Sequence, residues 1–526
     1  MNARKKIIKL IFASCLTLVS ILTINSCQAD VQNSKFPSVS SGKIRIGISS
    51  ENLILEPDIR SLTQKTTNKP IEIITKGSVT LTEMACQGEL DAIAIADEMW
   101  PSIKCPEANW IDTSDSLYQT RVQFALPTAT AKKLGWDNKI VTRNEVLTAL
   151  QSGRLNLATT IPTYSNSGYN TLLWLTREAI IPNLVPEQIT PQALRPLQPI
   201  YKNLAQKSES TSYLAQKLAQ NWQSNTLAAL YRFLYAPDGK ALYHKGQKMP
   251  LNQPITLVEV TPAIPVTPTW FVTTKDESLK QQLIEGVFES LKRANPNTFK
   301  QLQNQNPPFD AQVTRETTPV PEVHRQLLAN FHPSIRQKRW IIGIIDASGS
   351  MKGEGYEQLK AAFEQLLLPE NAKANFLYSP SDRFDLVVYQ SKMAYSIPYE
   401  RQLNNEAIRK KLWHSLNSKV RPKGGTPVDR GLLEGFQTAL NIPDDYKTEI
   451  FLFTDGRFND PITPQLLDIY QQLQDRDAEL TIVGAGNVDA LQLKELAGKL
   501  DARAIISQDS SQTLDELFKA FREAQI

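Results

Sequence analysis

The run Trp340-Ile341-Ile342-Gly343-Ile344-Ile345-Asp346-Ala347-Ser348-Gly349-Ser350-Met351 constrains this chain more than any other stretch. Its first half reads as an apolar strand. Its second half is a loop in which Asp346, Ser348 and Ser350 alternate with small residues, so three short oxygen-bearing side chains converge just beyond the strand's carboxyl end, where open α/β sheets bind ligands. Such a donor set suits Mg²⁺, a hard cation that takes oxygen at about 2.1 Å in near-octahedral order and keeps positions for water or an outside ligand. Taken alone, a D-x-S-x-S loop is equally well a turn whose Asp and Ser bond the local backbone.

Two later segments shift the balance towards a metal site. Gly424-Gly425-Thr426-Pro427 opens a helical stretch with Thr426 free to point at a ligand, and Glu449-Ile450-Phe451-Leu452-Phe453-Thr454-Asp455-Gly456 is a second buried-type strand, ending in Asp455. Around them lie a helix carrying Tyr356, Leu359, Phe363, Leu366 and Leu367, a strand over Asp382–Tyr389, another with a glycine exit over Leu480–Gly486, and a closing helix striped by Leu514, Leu517, Phe518 and Phe521. Residues 339–526 therefore resemble the von Willebrand factor type A domain, and the three loops resemble its metal-ion-dependent adhesion site. The resemblance implies a doubly wound, Rossmann-like α/β fold. It further implies direct contact of Ser348, Ser350 and Thr426 with the ion, contact of Asp346 and Asp455 directly or through water, and Mg²⁺ as the ion, with Mn²⁺ or Ca²⁺ as alternatives. A protein partner would donate an Asp or Glu to complete the coordination sphere.

At the other end, basic Arg4, Lys5 and Lys6 precede an apolar core from Leu10 to Ile24, which reads as an export signal over residues 1–27. That core is shorter than the roughly 20 residues a spanning helix needs. Ser26-Cys27 resembles the lipobox of bacterial lipoproteins, which implies lipidation of Cys27 and a membrane-held protein of the cell envelope; the alternative is simple secretion with cleavage near Ala29. Loss of the signal removes four of the 58 basic residues and none of the 54 acidic ones, which leaves no net charge. Without a basic excess, nucleic acid is a poor partner. Cys86 and Cys105 are then the remaining thiols, either paired in a disulfide, as an oxidising compartment favours, or buried and free.

Residues 28–42 read as a polar tether, 43–300 as the first folded domain, and 301–338 as a Pro-rich linker in which a short helix around Glu322–Phe331 packs. The first domain opens as βαβαβ: Lys43–Ser50, Ile71–Thr75 and Asp91–Ala96 are strands, with Ser49, Ser50, Ser78 and Asp97 gathered at their ends. Further on, Arg154–Thr160 runs into Pro162-Thr163-Tyr164-Ser165-Asn166-Ser167-Gly168 ahead of a helix whose free N–H groups can hold an anion or a carboxylate. This half resembles the two-lobed solute-binding proteins of bacterial ABC importers, with crossovers near Phe124–Pro127 and Ile255–Val272. The resemblance implies a solute cleft lined by Ser49, Ser50, Ser78, Asp97, Ser165 and Ser167. For each serine, the alternative is a helix cap. Asp97 argues against a simple oxyanion as the solute and for a cation, a polyol or a peptide-like ligand.

Enzymatic readings find little support. His244, His324, His332 and His414 are scattered, and neither a Gly-x-Ser-x-Gly elbow nor a Walker-type phosphate loop is present. The expectation is a non-enzymatic, extracytoplasmic binding protein, its amino-terminal domain serving ligand sensing or docking. The alternatives are a solute receptor of an ABC-type transport system and a docking factor for a metal-handling enzyme.

Overall fold

The computed structural model describes residues 42–110, 114–177, 180–181, 184–244, 247–294, 312–315, 319–335, 338–369, 382–391, 393–396, 406–458, 462–506 and 517. The export signal, Cys27 and the tether up to residue 41 lie outside them, as does the closing helix apart from Leu517. Among the described residues, no helix is long and apolar enough to cross a membrane.

The amino-terminal part is built on two mixed sheets. The first uses β1 (Ile44–Ser49), β2 (Ile71–Lys76), β3 (Ala92–Ile95) and β4 (Ser114–Ser116), with helices α1 (Glu56–Thr67), α2 (Ser78–Cys86) and α3 (Met99–Lys104) between them. The chain then enters β5 (Thr120–Pro127), whose eight residues are all buried, so Phe124–Pro127 is an interior strand and the crossover falls just before it, at residues 117–119. The second sheet adds β6 (Asn156–Thr160), α4 (Asn166–Thr176), β7 (Gln206–Ser208), α5 (Thr211–Gln220), β8 (Thr226–Tyr231), β9 (Ile255–Val258) and β10 (Ile264–Val266). The return crossover is likewise narrower than Ile255–Val272, because β9 and β10 both pair with β5 and only β11 (Thr269–Val272) rejoins the first sheet. Strand orders are β2-β1-β3-β11-β4 and β9-β5-β8-β6-β7, so two α/β lobes are joined by two crossing segments. Cys86 and Cys105 form a disulfide, which ties the end of α2 to the residue after α3.

The Pro-rich stretch is not only a connector. Its helix α6 (Pro321–Ile335) is longer than Glu322–Phe331 and buries Val323, Leu327, Leu328, Phe331 and Ile335 in the same core as the two lobes. Those positions recur at helical spacing, and one apolar stripe must be covered by something. Here Phe331 meets Tyr201 edge to face, Asn330 Nδ2 donates to Ile189 O (2.9 Å), and His324 Nδ1 bonds the Tyr169 hydroxyl (2.5 Å).

The carboxyl-terminal part is a doubly wound sheet. Its elements are β12 (Lys338–Asp346), α7 (Glu354–Leu367), β13 (Arg383–Gln390), β14 (Met393–Ser396), α8 (Glu406–Lys419), α9 (Val428–Leu440), β15 (Tyr446–Thr454), α10 (Pro464–Gln474), β16 (Glu479–Gly484), α11 (Ala490–Lys499) and β17 (Arg503–Ile505). The order is β14-β13-β12-β15-β16-β17, all parallel except β14. Side chains alternate across a strand. Ile341 and Ile345 of β12 therefore face a core shared with Phe363, Leu412 and Phe453, while Ile342 and Ile344 face Leu432, Phe436 and Tyr470. A Cβ on Gly431 of α9 would lie 2.3 Å from the Tyr389 ring, so only glycine lets that helix approach the end of β13. At the opposite end of the sheet, Arg339 is buried between Glu449 (3.0 Å) and Asp382 (3.7 Å).

Candidate functional site

β12 is flanked on both sides by parallel strands, so the loops leaving β12, β13 and β15 emerge at one edge of the sheet. Backbone hydrogen bonds stitch the loops together: Lys423 N–H to Ala347 O, Gly349 N–H to Gly424 O and Ser391 N–H to Gly425 O, each 2.9 Å. Gly424 has φ +76°, and a Cβ there would sit 1.9 Å from Ser391 Oγ, so this seam requires glycine. It carries Thr426 to the mouth of the first loop.

Asp346 is fully buried. Its Oδ1 accepts Ser348 N–H (2.8 Å) and its Oδ2 accepts the Thr454 hydroxyl (2.6 Å). Ser348 Oγ and Ser350 Oγ lie 3.0 Å apart, the first buried and the second exposed, so the hydroxyl pair leads from the interior to solvent. Asp455 is buried too, its Oδ1 accepting Arg457 N–H (3.0 Å), and Thr426, directly after the glycine seam, is also buried. Burial pushes the Asp346 carboxyl above the usual carboxylate range, the Thr454 and Ser348 hydrogen bonds pull it down, and the neighbouring Asp455 pushes it further up. No basic side chain among the described residues is ion-paired with either carboxylate.

Buried carboxylates normally have a counter-charge. Two of them here, with three hydroxyl oxygens and no internal cation, fit a divalent metal ion. The structure thus brings together Asp346, Ser348, Ser350 and Asp455, and the Gly424–Gly425 seam bonded to Gly349 and Ser391 leads directly into Thr426. Sequence reading passed over two others. Thr454, next to Asp455, holds Asp346 in place, and Tyr389, at the end of β13, buries its hydroxyl near Asp346 and Thr454. A hydroxyl residue directly before the second aspartate was the available signal for Thr454.

The expected solute-cleft residues have a different fate. Ser49 Oγ donates to Ala94 O (3.0 Å) and accepts from Asn52 (3.1 Å). Ser50 Oγ and Ser78 Oγ both donate to the carboxylate of Glu51, at 3.0 and 2.9 Å, and Ser78 Oγ also accepts Ala96 N–H (3.0 Å). Glu51, absent from the expected set, is buried where the helix α2 N-terminus would receive an outside anion. Ser167 Oγ bonds Thr160 (2.9 Å) and Thr211 (2.6 Å) inside the second lobe, with Ser165 Oγ 3.4 Å away. The serines thus bond the chain itself, though not as side-chain helix caps: Ser165 occupies the cap position of α4 without making that bond. Across the lobes, Trp100 Nε1 donates to Asn166 Oδ1 (3.0 Å); within the second lobe Asn166 Nδ2 donates to the Tyr231 hydroxyl (3.2 Å), and from the crossing segment the Tyr118 hydroxyl donates to Glu51 O (3.2 Å). Asp97 stands in this polar seam with its pKa raised to about 7, chiefly by burial.

Residues 341–520 match the von Willebrand factor type A domain family. These domains commonly bind divalent metals and mediate protein interactions. An uncharacterized protein of Synechocystis sp. is 30% identical over 115 residues, which is 22% of this chain and 24% of that protein, so the match spans about a quarter of the relative's length. Among solved structures, a von Willebrand factor type A protein from Catenulispora acidiphila is similar at 18% identity and TM-score 0.30, covering 36% of this chain and 43% of that one. The periplasmic binding protein AfuA from Actinobacillus pleuropneumoniae, solved with fructose-6-phosphate, is similar at 13% identity and TM-score 0.35, covering 56% of this chain and 99% of that one.

Proposed function

We propose that this chain is an exported, lipid-anchored binding protein whose von Willebrand factor type A domain captures a protein partner through a Mg²⁺-dependent adhesion site. One observation carries the reading: Asp346 and Asp455 are buried together beneath a hydroxyl-lined mouth, with no ion pair to either among the described residues. Bound Mg²⁺ supplies an electrophilic point that accepts a carboxylate from outside. Ser348, Ser350 and Thr426 serve as neutral oxygen donors, so they leave attraction for an incoming acid. Asp346 and Asp455 hold the ion directly or through water, and Thr454 and the Ser348 N–H fix the Asp346 carboxylate. The role proposed is binding, not turnover.

The amino-terminal part is proposed as a docking mount, the reading that the self-satisfied cleft supports over a transport receptor. Glu51 takes up the Ser50 and Ser78 hydroxyls within the first lobe, and Trp100 of that lobe donates to Asn166 of the second. Cys27 places the whole at the envelope membrane, facing outward from the cytoplasm.

The test is capture of an envelope partner by the full chain in Mg²⁺, in EDTA, and in the Asp346→Ala and Thr426→Ala variants, alongside Mg²⁺ uptake by calorimetry. Both variants are expected to lose capture while retaining the wild-type circular dichroism spectrum. Capture that persists unchanged in EDTA would sink the reading.

A further inference from the structure

We infer that the partner presents an acidic segment, one carboxylate for the ion and others beside it for a rim of three cations, Lys352, Lys423 and Arg457. This rests on the adhesion reading above and names the chemistry of the partner. Each cation is tied to the centre by local structure. Lys352 follows Met351 at the end of the Ser348–Met351 turn. Lys423 is held beside that turn by its N–H on Ala347 O, one residue before Gly424 O receives Gly349 N–H. Arg457 stands two residues beyond Asp455, its N–H on Asp455 Oδ1. All three are exposed, and among the described residues none has an ion pair.

Among the described residues, three acidic residues near the same edge stand at helix starts. Glu354 and Asp429 sit in the first turns of α7 and α9, and Asp489 caps α11, accepting Gln492 N–H at 3.1 Å. There they answer the positive ends of the helices. The charge of a bound divalent ion is balanced by Asp346 and Asp455, so among the described residues no ion pair opposes the rim's positive charge. A lone carboxylate would satisfy the ion and leave the rim idle, whereas flanking carboxylates add charge pairs at the rim and speed encounter through the local field. Exposed pairs are individually weak, so the rim acts as a selectivity filter rather than an anchor. A nucleic-acid backbone is the poorer fit, since three cations are too few for the many phosphate contacts such binding uses.

The experiment uses the full chain and three fluorescein-labelled peptides of equal length, each with one central Asp, flanked by Gly and Ser, by Glu, or by Lys. An oligothymidylate serves as a fourth probe. In Mg²⁺ the Glu-flanked peptide is expected to bind about ten-fold more tightly than the Gly/Ser one, as several weak pairs together allow. That preference should fade at high salt and vanish in the Lys352→Gln/Lys423→Gln/Arg457→Gln variant, which takes up Mg²⁺ at least as tightly as the wild type by calorimetry. Mg²⁺-dependent binding of all peptides alike, a preference for Lys flanks, retention of the Glu preference in the triple variant, Mg²⁺ uptake with no peptide bound, or oligothymidylate binding as tightly as the Glu peptide would each overturn the inference and leave the metal site standing. No Mg²⁺ uptake, or equal peptide binding in EDTA, overturns the adhesion reading and this inference with it.

Discussion

The Thr454 hydroxyl is the support on which the buried carboxylate of the candidate metal site leans. It donates to Asp346 Oδ2 at 2.6 Å, while Ser348 N–H occupies Oδ1. Groups that orient a metal ligand typically affect affinity by about 10- to 100-fold. Thr454→Val keeps the volume and removes the donor, so Mg²⁺ affinity by calorimetry should fall at least about ten-fold with the fold unchanged. Equal affinity in the variant would mean that Asp346 needs no such brace. Asp97 gives a second prediction at this scale. Its folded-state pKa, about 7, is above its ordinary 3.8, so folding takes up a proton between these values. The stability this group contributes is therefore fully present below about pH 4 and is lost as pH rises towards about 7. Asp97→Asn should flatten the fall in stability across that window, measured by urea unfolding at several pH values. A wild-type slope retained in the variant would assign the effect to another group.

Among the elements, helix α6 shows how an apolar stripe overrides a linker-like composition. Its prolines, Pro321 and Pro333, and the polar residues around them read as a boundary, yet Val323, Leu327, Leu328, Phe331 and Ile335 form one face and that face completes the core of the amino-terminal lobes. Phe331 is fully buried against Tyr201. Phe331→Ala should cost about 3–5 kcal/mol, the usual range for a large aromatic lost from a packed core. The check is the urea midpoint of the amino-terminal part, followed by its own tryptophan fluorescence. A loss below about 1 kcal/mol, the level of surface substitutions, would show that α6 is only laid on the lobes.

At the scale of the molecule, closure of the two lobes depends on polar groups that meet across the cleft. Trp100 Nε1 of the first lobe donates to Asn166 Oδ1 of the second at 3.0 Å, and both residues are buried. Asn166→Ala should cost about 1–3 kcal/mol, because it leaves the buried Trp100 N–H without an acceptor, and small-angle scattering should show the amino-terminal part expanding. A variant as stable and compact as the wild type would remove Asn166 from any role in closure. The positions of the candidate metal site were legible in the sequence alone. Asp346, Ser348, Ser350, Thr426 and Asp455 lie at the ends of strands or at a helix start whose apolar runs are unmistakable, and the parallel order of those strands brings their exits to one edge. The two-lobed architecture was legible for the same reason, down to β1, β2 and β3. Only the tertiary structure decided what the serines of the cleft do, since Ser78 reads identically whether its hydroxyl meets a solute or Glu51. It also decided that α6 belongs to the lobes, that Thr454 braces Asp346, and that the backbone at Lys423 and Arg457 is bonded to the Asp346 and Asp455 loops. Periodicity fixes which face a residue occupies within its own element; what lies opposite that face depends on packing between segments far apart in the chain, and no local pattern encodes it.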